Sequence, residues 1–227
     1  MKLIFKCLFM SFLSLFVSQL SAQDWANLKK YQDENTSIIT TALDKKRVVF
    51  MGNSITQHWK EKHPEFFSNN SFICRGISGQ TTPQMLVRFR QDVINLKPKI
   101  VVILAGTNDI AGNTGPSTLE MILDNLTSMT ELAKSNGIRV ILCSVLPAYD
   151  YPWRPGQEPN VKIPKLNAMI KAYCEKSGTF YLDYFSEMVD EKNAMKADFT
   201  TDGVHCSLKG YDLLESMVRP AIDKMLE

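Results

Sequence analysis

The sequence of 227 residues is sparing with the features that assign a protein at a glance. It holds three histidines and five cysteines, and neither a Cys-x-x-Cys nor a Cys/His pair at ligand spacing occurs, so a zinc site is not expected. Its formal charge is only +2, and residues 1–22 carry two lysines and no acid, which leaves the remainder neutral. A neutral domain has no electrostatic case for nucleic acid or an anionic membrane as partner. No apolar run reaches the roughly 20 residues needed to span a bilayer, so stable membrane insertion is not expected. Internal repeats, low-complexity tracts and linkers are absent, which argues for one domain.

The N-terminus carries an address. Lys2 and Lys6 precede an almost wholly apolar stretch, Leu8 to Val17, and Ser21-Ala22-Gln23 offers small residues for a cut after Ala22. Residues 1–22 therefore read as a secretory signal peptide, and residues 23–227 as a single exported domain, periplasmic or secreted. Cys7 lies too early to become a lipidated first residue. Of the other cysteines, Cys74 and Cys143 fall in predicted buried strands. With Cys174 and Cys206 they are expected as free thiols.

The organising stretch is Arg47 to Thr56. Val48, Val49, Phe50 and Met51 form an apolar run of the kind buried on both faces of a parallel sheet. Gly52 is expected to let the backbone turn out of the strand, and Ser54 follows at its C-terminal end, ahead of a helix. Ligands of open α/β sheets bind at that edge. Ser54 is thus a candidate nucleophile, with helix capping as the competing role.

Around this stretch the pattern alternates. A helix is expected over Asp24–Lys45, with Trp25, Leu28 and Tyr31 on one face. Strands are expected at Ser71–Arg75, Ile100–Ala105, Arg139–Leu146 and Phe180–Phe185. Helices are expected over Pro83–Leu96, from a Ser117-Thr118-Leu119-Glu120 capping box to Ser135, over Ile163–Lys176, and after a Ser207 cap. His58 and His63 are expected to be solvated on a surface helix. Strands and helices alternating at this spacing predict a parallel sheet of five strands with helices on both faces.

Polar or glycine-rich residues collect where these strands end: Asn53 and Ser54, Gly79, Asn108, then Asp202 and His205. A serine, an imidazole, a carboxylate and amide donors are the parts of acyl transfer. Ser54 would attack an ester carbonyl and His205 would take its proton. Asp202, three residues earlier, would orient the imidazole, unless it serves only as a turn residue before Gly203. The Ser54 and Gly79 amides and the Asn108 side chain would receive the oxyanion.

Together GNSIT, GISGQTT, GTND and DGVH resemble the four signature blocks of the SGNH hydrolases, or GDSL-type esterases and lipases. The similarity runs from Arg47 to Glu227. It is strongest toward the branch of platelet-activating-factor acetylhydrolase subunits and bacterial carbohydrate esterases. The resemblance implies a flavodoxin-like three-layer α/β/α fold without metal or organic cofactor. It implies Ser54, Asp202 and His205 as a triad, and Ser54, Gly79 and Asn108 as the oxyanion hole. Asn53 stands where many members have Asp, and Cys206 where Pro is common. The Gly-x-Ser-x-Gly elbow of the α/β-hydrolases is missing.

Tyr149, Tyr151 and Trp153 occupy a Pro-rich loop at the same sheet edge. Asn53, Tyr149 and Trp153 are the candidate substrate contacts, although Trp153 could equally pack the loop onto the body. No long apolar lid of the interfacial-lipase kind is present. The preferred expectation is a serine esterase acting on short acyl groups, acetyl above all, carried by a small molecule or glycan. A lysophospholipase or thioesterase on the same site is one alternative. A non-catalytic glycan-binding protein and a receiver-like or flavodoxin-like binding domain are others.

Overall fold

Two apolar runs become adjacent inner strands of a sheet. The computed structural model describes residues 24–41 and 46–227; the expected signal peptide, residues 1–22, lies outside them. Strands β1 (Val48–Gly52) and β3 (Ile100–Leu104) are buried at every position. They are joined by β2 (Phe72–Gly76), β4 (Arg139–Cys143) and β5 (Phe180–Leu182). The order is β2-β1-β3-β4-β5 and every pairing is parallel. The chain runs outward from β1 to β2, then crosses to β3 on the other side of β1. A crevice opens at such a switch point, outside the carboxyl ends of the strands.

Successive strand residues point to opposite faces and split the core in two. Val49, Met51, Val101, Ile103, Val140 and Leu142 meet helices α4 (Thr82–Asp92), α6 (Leu119–Ser135) and α7 (Pro159–Ser177). Val48, Phe50, Ile100, Val102 and Ile141 meet α2 (Ser54–Lys62), α3 (Pro64–Ser68) and α9 (Leu208–Leu226). The described residues also form helices α1 (Gln32–Thr40), α5 (Thr107–Ile110) and α8 (Tyr184–Met188), and single 3₁₀ turns at Ile94–Leu96 and Ala197–Phe199. The result is the expected three-layer α/β/α domain.

Several expectations need correction. The first helix spans Gln32–Thr40, and residues 42–45 of its expected range lie outside the described residues; Trp25 and Leu28 lie in turns and are 47% and 37% exposed. That segment is held by polar ties instead, such as Tyr31 Oη donating to the Gly76 carbonyl at 2.5 Å. Helix α6 is capped by Thr118, which accepts from the Met121 amide, so the Ser117 box does not form. Strand β4 stops at Cys143 because the Asn167 side chain takes over both backbone groups of Val145. Strand β5 ends where Asp183 caps α8. Gly52 is required for room rather than for a turn: a Cβ there would stand 2.1 Å from Thr56 Oγ1. Cys74, Cys143, Cys174 and Cys206 are buried free thiols.

Candidate active site

The segments that follow β1, β2, β3 and β4, and the loop before α9, supply the groups that line the crevice. After β1, Asn53 caps α2, its side chain accepting from the Ile55 amide at 3.0 Å. Ser54 is therefore the first helical residue, not the cap, and its hydroxyl is left for other work. That hydroxyl lies 2.9 Å from His205 Nε2, across 151 positions of chain. His205 Nδ1 in turn lies 2.7 Å from Asp202 Oδ2.

The Asp202–His205 segment is a tight non-helical bend. Gly203 has φ +87°, Asp202 Oδ1 accepts from the amides of Val204 and His205, and the Thr200 hydroxyl ties both Gly203 and the His205 carbonyl. Asp202 thus fills its turn role and its orienting position at once. Partial burial pushes its carboxyl upward, but the backbone and ring of His205 and the Val204 amide prevail and hold it below the usual range. Cys206, where proline is common, leaves the loop closed by the Thr200–Cys206 bridge; its thiol is buried and pushed up to about 12.

Amide donors converge on the same place. Gly79 sits at φ +77°, a left-handed conformation that suits glycine. The amides around it are engaged: Ile77 with the Gly52 carbonyl, Ser78 with Gln57 Oε1, Gln80 with the Ile77 carbonyl. The Gly79 N–H has no such partner among the described residues. Ser54, in the first turn of α2, has an amide with no intrahelical acceptor. Asn108, buried at the start of α5, donates an Nδ2 N–H to the Gln80 carbonyl at 2.9 Å and is one of the residues that line the crevice.

The crevice is a cleft of about 360 Å³ lined by Ser54, His58, Ser78, Gly79, Asn108, Asn113, Trp153 and His205. Trp153 stacks on buried Tyr151 with centroids 5.1 Å apart and lies 6.1 Å from the His205 ring. Of the other expected substrate contacts, Asn53 is buried in its capping role and Tyr149 is exposed; neither lines the cleft. Wider hollows among the described residues open at the opposite edge of the sheet, around Arg219, Lys97 and Arg139. Their linings hold no Ser-His pair. Among the described residues no group of three His, Cys, Asp or Glu side chains could hold a metal ion, and no helix is long and apolar enough to cross a membrane.

His58, Ser78 and Asn113 are cleft residues that the sequence reading missed. His58 was readable, since it lies four positions after Ser54 and so on the same helix face. Neither His58 nor His63 is a freely solvated side chain: His58 is half-buried in the cleft, and His63 Nδ1 meets Glu215 Oε1 at 2.9 Å. Ser78 sits inside the GISGQTT block. Asn113 is placed by tertiary contact alone, bridging the Gly79 carbonyl and the Trp153 indole.

A parallel three-layer domain with a Ser-His-Asp chain and amide donors at its switch point defines a class of ester-cleaving folds. Residues 50–213 match the GDSL-like Lipase/Acylhydrolase family, and the chain belongs to that family as a carboxylic ester hydrolase. It is similar to a Bacteroides fragilis protein described as a candidate acylhydrolase, at 48% identity and TM-score 0.87 over 90% of this chain and 100% of that one. Rattus norvegicus platelet-activating factor acetylhydrolase IB subunit alpha2 is 24% identical over 214 residues, 91% of this chain and 90% of its own. A Geobacillus acetyl-xylooligosaccharide esterase shares the fold at TM-score 0.60 and 20% identity, over 78% of this chain and 93% of that one.

Proposed function

We propose that this enzyme hydrolyses short acyl esters, O-acetyl esters of carbohydrates first, through a Ser54–His205–Asp202 triad and an acyl-enzyme. The observation that carries the reading is the line of short contacts from Ser54 Oγ through His205 to Asp202, open to the cleft at Ser54. Ser54 Oγ attacks the carbonyl carbon as His205 Nε2 takes its proton. The tetrahedral oxyanion accepts from the Ser54 and Gly79 amides and from Asn108 Nδ2, donors worth roughly 3 kcal/mol each. Collapse expels the alcohol with the proton from His205. Water, activated by the same imidazole, then releases the acid and restores Ser54.

The lining of the cleft supports a short acyl group. Each methylene of an acyl chain gains about 0.8 kcal/mol only where apolar surface receives it, and Trp153 is the one large apolar side chain in this lining. Its exposed indole, backed by Tyr151, offers a platform for a sugar ring. The acetyl esters named for the rat and Geobacillus relatives favour the same choice. The test is a p-nitrophenyl ester series from acetate to decanoate, with acetate release from acetylated xylo-oligosaccharides, for wild type and Ser54→Ala. Acetate should be cleaved fastest and the variant should be inactive; faster cleavage of octanoate would overturn the acyl assignment. The leading Lys2–Ala22 segment supports export, which N-terminal sequencing of the secreted chain would test.

A further inference from the structure

His58 stands one turn after Ser54 on α2, and that spacing brings both side chains to the cleft. Its ring centroid lies 5.3 Å from that of His205, tilted by 50°. Trp153 also flanks His205, with centroids 6.1 Å apart. His63, the next histidine, is committed to Glu215 and packs on Tyr211. His58 has no such commitment: among the described residues neither ring nitrogen has a protein hydrogen-bond partner. Partial burial, and then the charge of a protonated His205, hold its pKa below the ordinary imidazole value. At neutral pH the ring therefore offers one N–H donor and one bare nitrogen acceptor. That pair matches a hydroxyl, and it brings no charge to a phosphate or carboxylate.

Position selects which hydroxyl. The leaving alcohol oxygen must come within hydrogen-bond reach of His205 Nε2 to receive its proton. With ring centroids 5.3 Å apart in one cleft, the His58 imidazole is near enough for a group one carbon further along the alcohol to come within its reach. We propose that His58 is a specificity residue that hydrogen-bonds the hydroxyl vicinal to the scissile ester, so that the cleft selects acyl esters of vicinal diols, as sugars are. This rests on acyl transfer at Ser54, and it deepens that reading by naming the recognised group.

Ethyl acetate and 2-hydroxyethyl acetate differ by that single hydroxyl. The experiment measures kcat/KM for both in wild type, His58→Phe and His58→Gln, each ratio being divided by the ratio of the alkaline hydrolysis rates. Wild type should favour the hydroxylated ester. His58→Phe should lower the ratio about five- to tenfold, the worth of one hydrogen bond. His58→Gln, which keeps a donor and an acceptor, should retain most of it. An unchanged ratio in His58→Phe, with Ser54→Ala inactive on ethyl acetate, overturns the role of His58 alone. Turnover of ethyl acetate by Ser54→Ala overturns the acyl-transfer reading and this inference with it.

Discussion

Asp202 holds His205 at two points: Oδ2 lies 2.7 Å from the ring Nδ1, and Oδ1 accepts the backbone N–H at 2.7 Å. One carboxylate thereby sets both the main-chain position and the ring of the proposed base. Asp202→Asn keeps the shape but offers one oxygen where two are used, and an amide facing Nδ1 favours the wrong tautomer. We expect kcat on acetyl esters to fall about 10²- to 10⁴-fold with KM little changed. Steady-state kinetics decide it; a loss under about threefold would leave Asp202 with its turn role only.

Gln80 is the joint behind Gly79 and Asn108, the donors proposed for the oxyanion. Its Oε1 accepts from Arg88 Nε at 2.6 Å, its Nε2 donates to the Ala26 carbonyl at 2.7 Å, and its own carbonyl accepts from Asn108. Arg88 is fully buried and also donates to the Gly52 and Arg75 carbonyls, at the ends of β1 and β2. Gln80→Leu removes the acceptor and leaves a buried guanidinium N–H unpaired, costing about 1–3 kcal/mol of stability. Gly79 and Asn108 lose their fixed placement with it, so kcat should fall about tenfold while KM holds. Gln80→Glu, which keeps an acceptor for Arg88, should recover part of the stability. Urea unfolding and kinetics on the two variants separate the contributions; a normal kcat in Gln80→Leu would remove Gln80 from the support of the site.

What was legible follows from what local pattern can encode. Strands β1 and β3 announced themselves because both of their faces are covered, which forces continuous apolar runs. The groups now gathered at the switch point were legible as polar residues that their strands do not need. The anchoring of residues 25–31 was not: Gln80 and Gln84 bind the carbonyls of Ala26 and Trp25, and a backbone acceptor leaves no mark on residue type. Trp25 and Leu28 suggested an apolar face for the same reason, since helical spacing alone cannot tell a turn held by polar ties from a packed helix. His63 needed Glu215 from α9, a contact of high sequence separation.

Gly52 tests how tightly α2 is set against the sheet. A Cβ there would stand 2.1 Å from Thr56 Oγ1 and 2.9 Å from the Leu104 carbonyl, which is backbone and cannot swing away. Gly52→Ala should destabilise the fold by about 1–3 kcal/mol, the ordinary cost of overpacking. Because the strain falls within two residues of Ser54, kcat should drop as well. Urea unfolding that matches wild type would show that the helix has room to retreat.

Asp109 supplies a pH dependence of stability with an unusual sign. Its carboxyl is buried beside Asn108, and burial pushes it up to about 6 against the opposing bonds from the Thr82 hydroxyl and amide. An unfolded Asp titrates near 3.9. Between about pH 4 and 6 the folded chain therefore binds more protons than the unfolded one, and this group's contribution to stability falls as pH rises through that window. Two pKa units correspond to about 3 kcal/mol at most. Asp202, held below its ordinary value, has the opposite sign and acts at lower pH: its contribution is present above about 4 and lost on acidification. Asp109→Asn removes one titration and leaves the other. The unfolding free energy of wild type minus that of Asp109→Asn, measured in urea at intervals from pH 4 to 7, should decline to about pH 6 and then level. A flat difference across that range would mean that Asp109 ionises as freely in the folded chain as in the unfolded one.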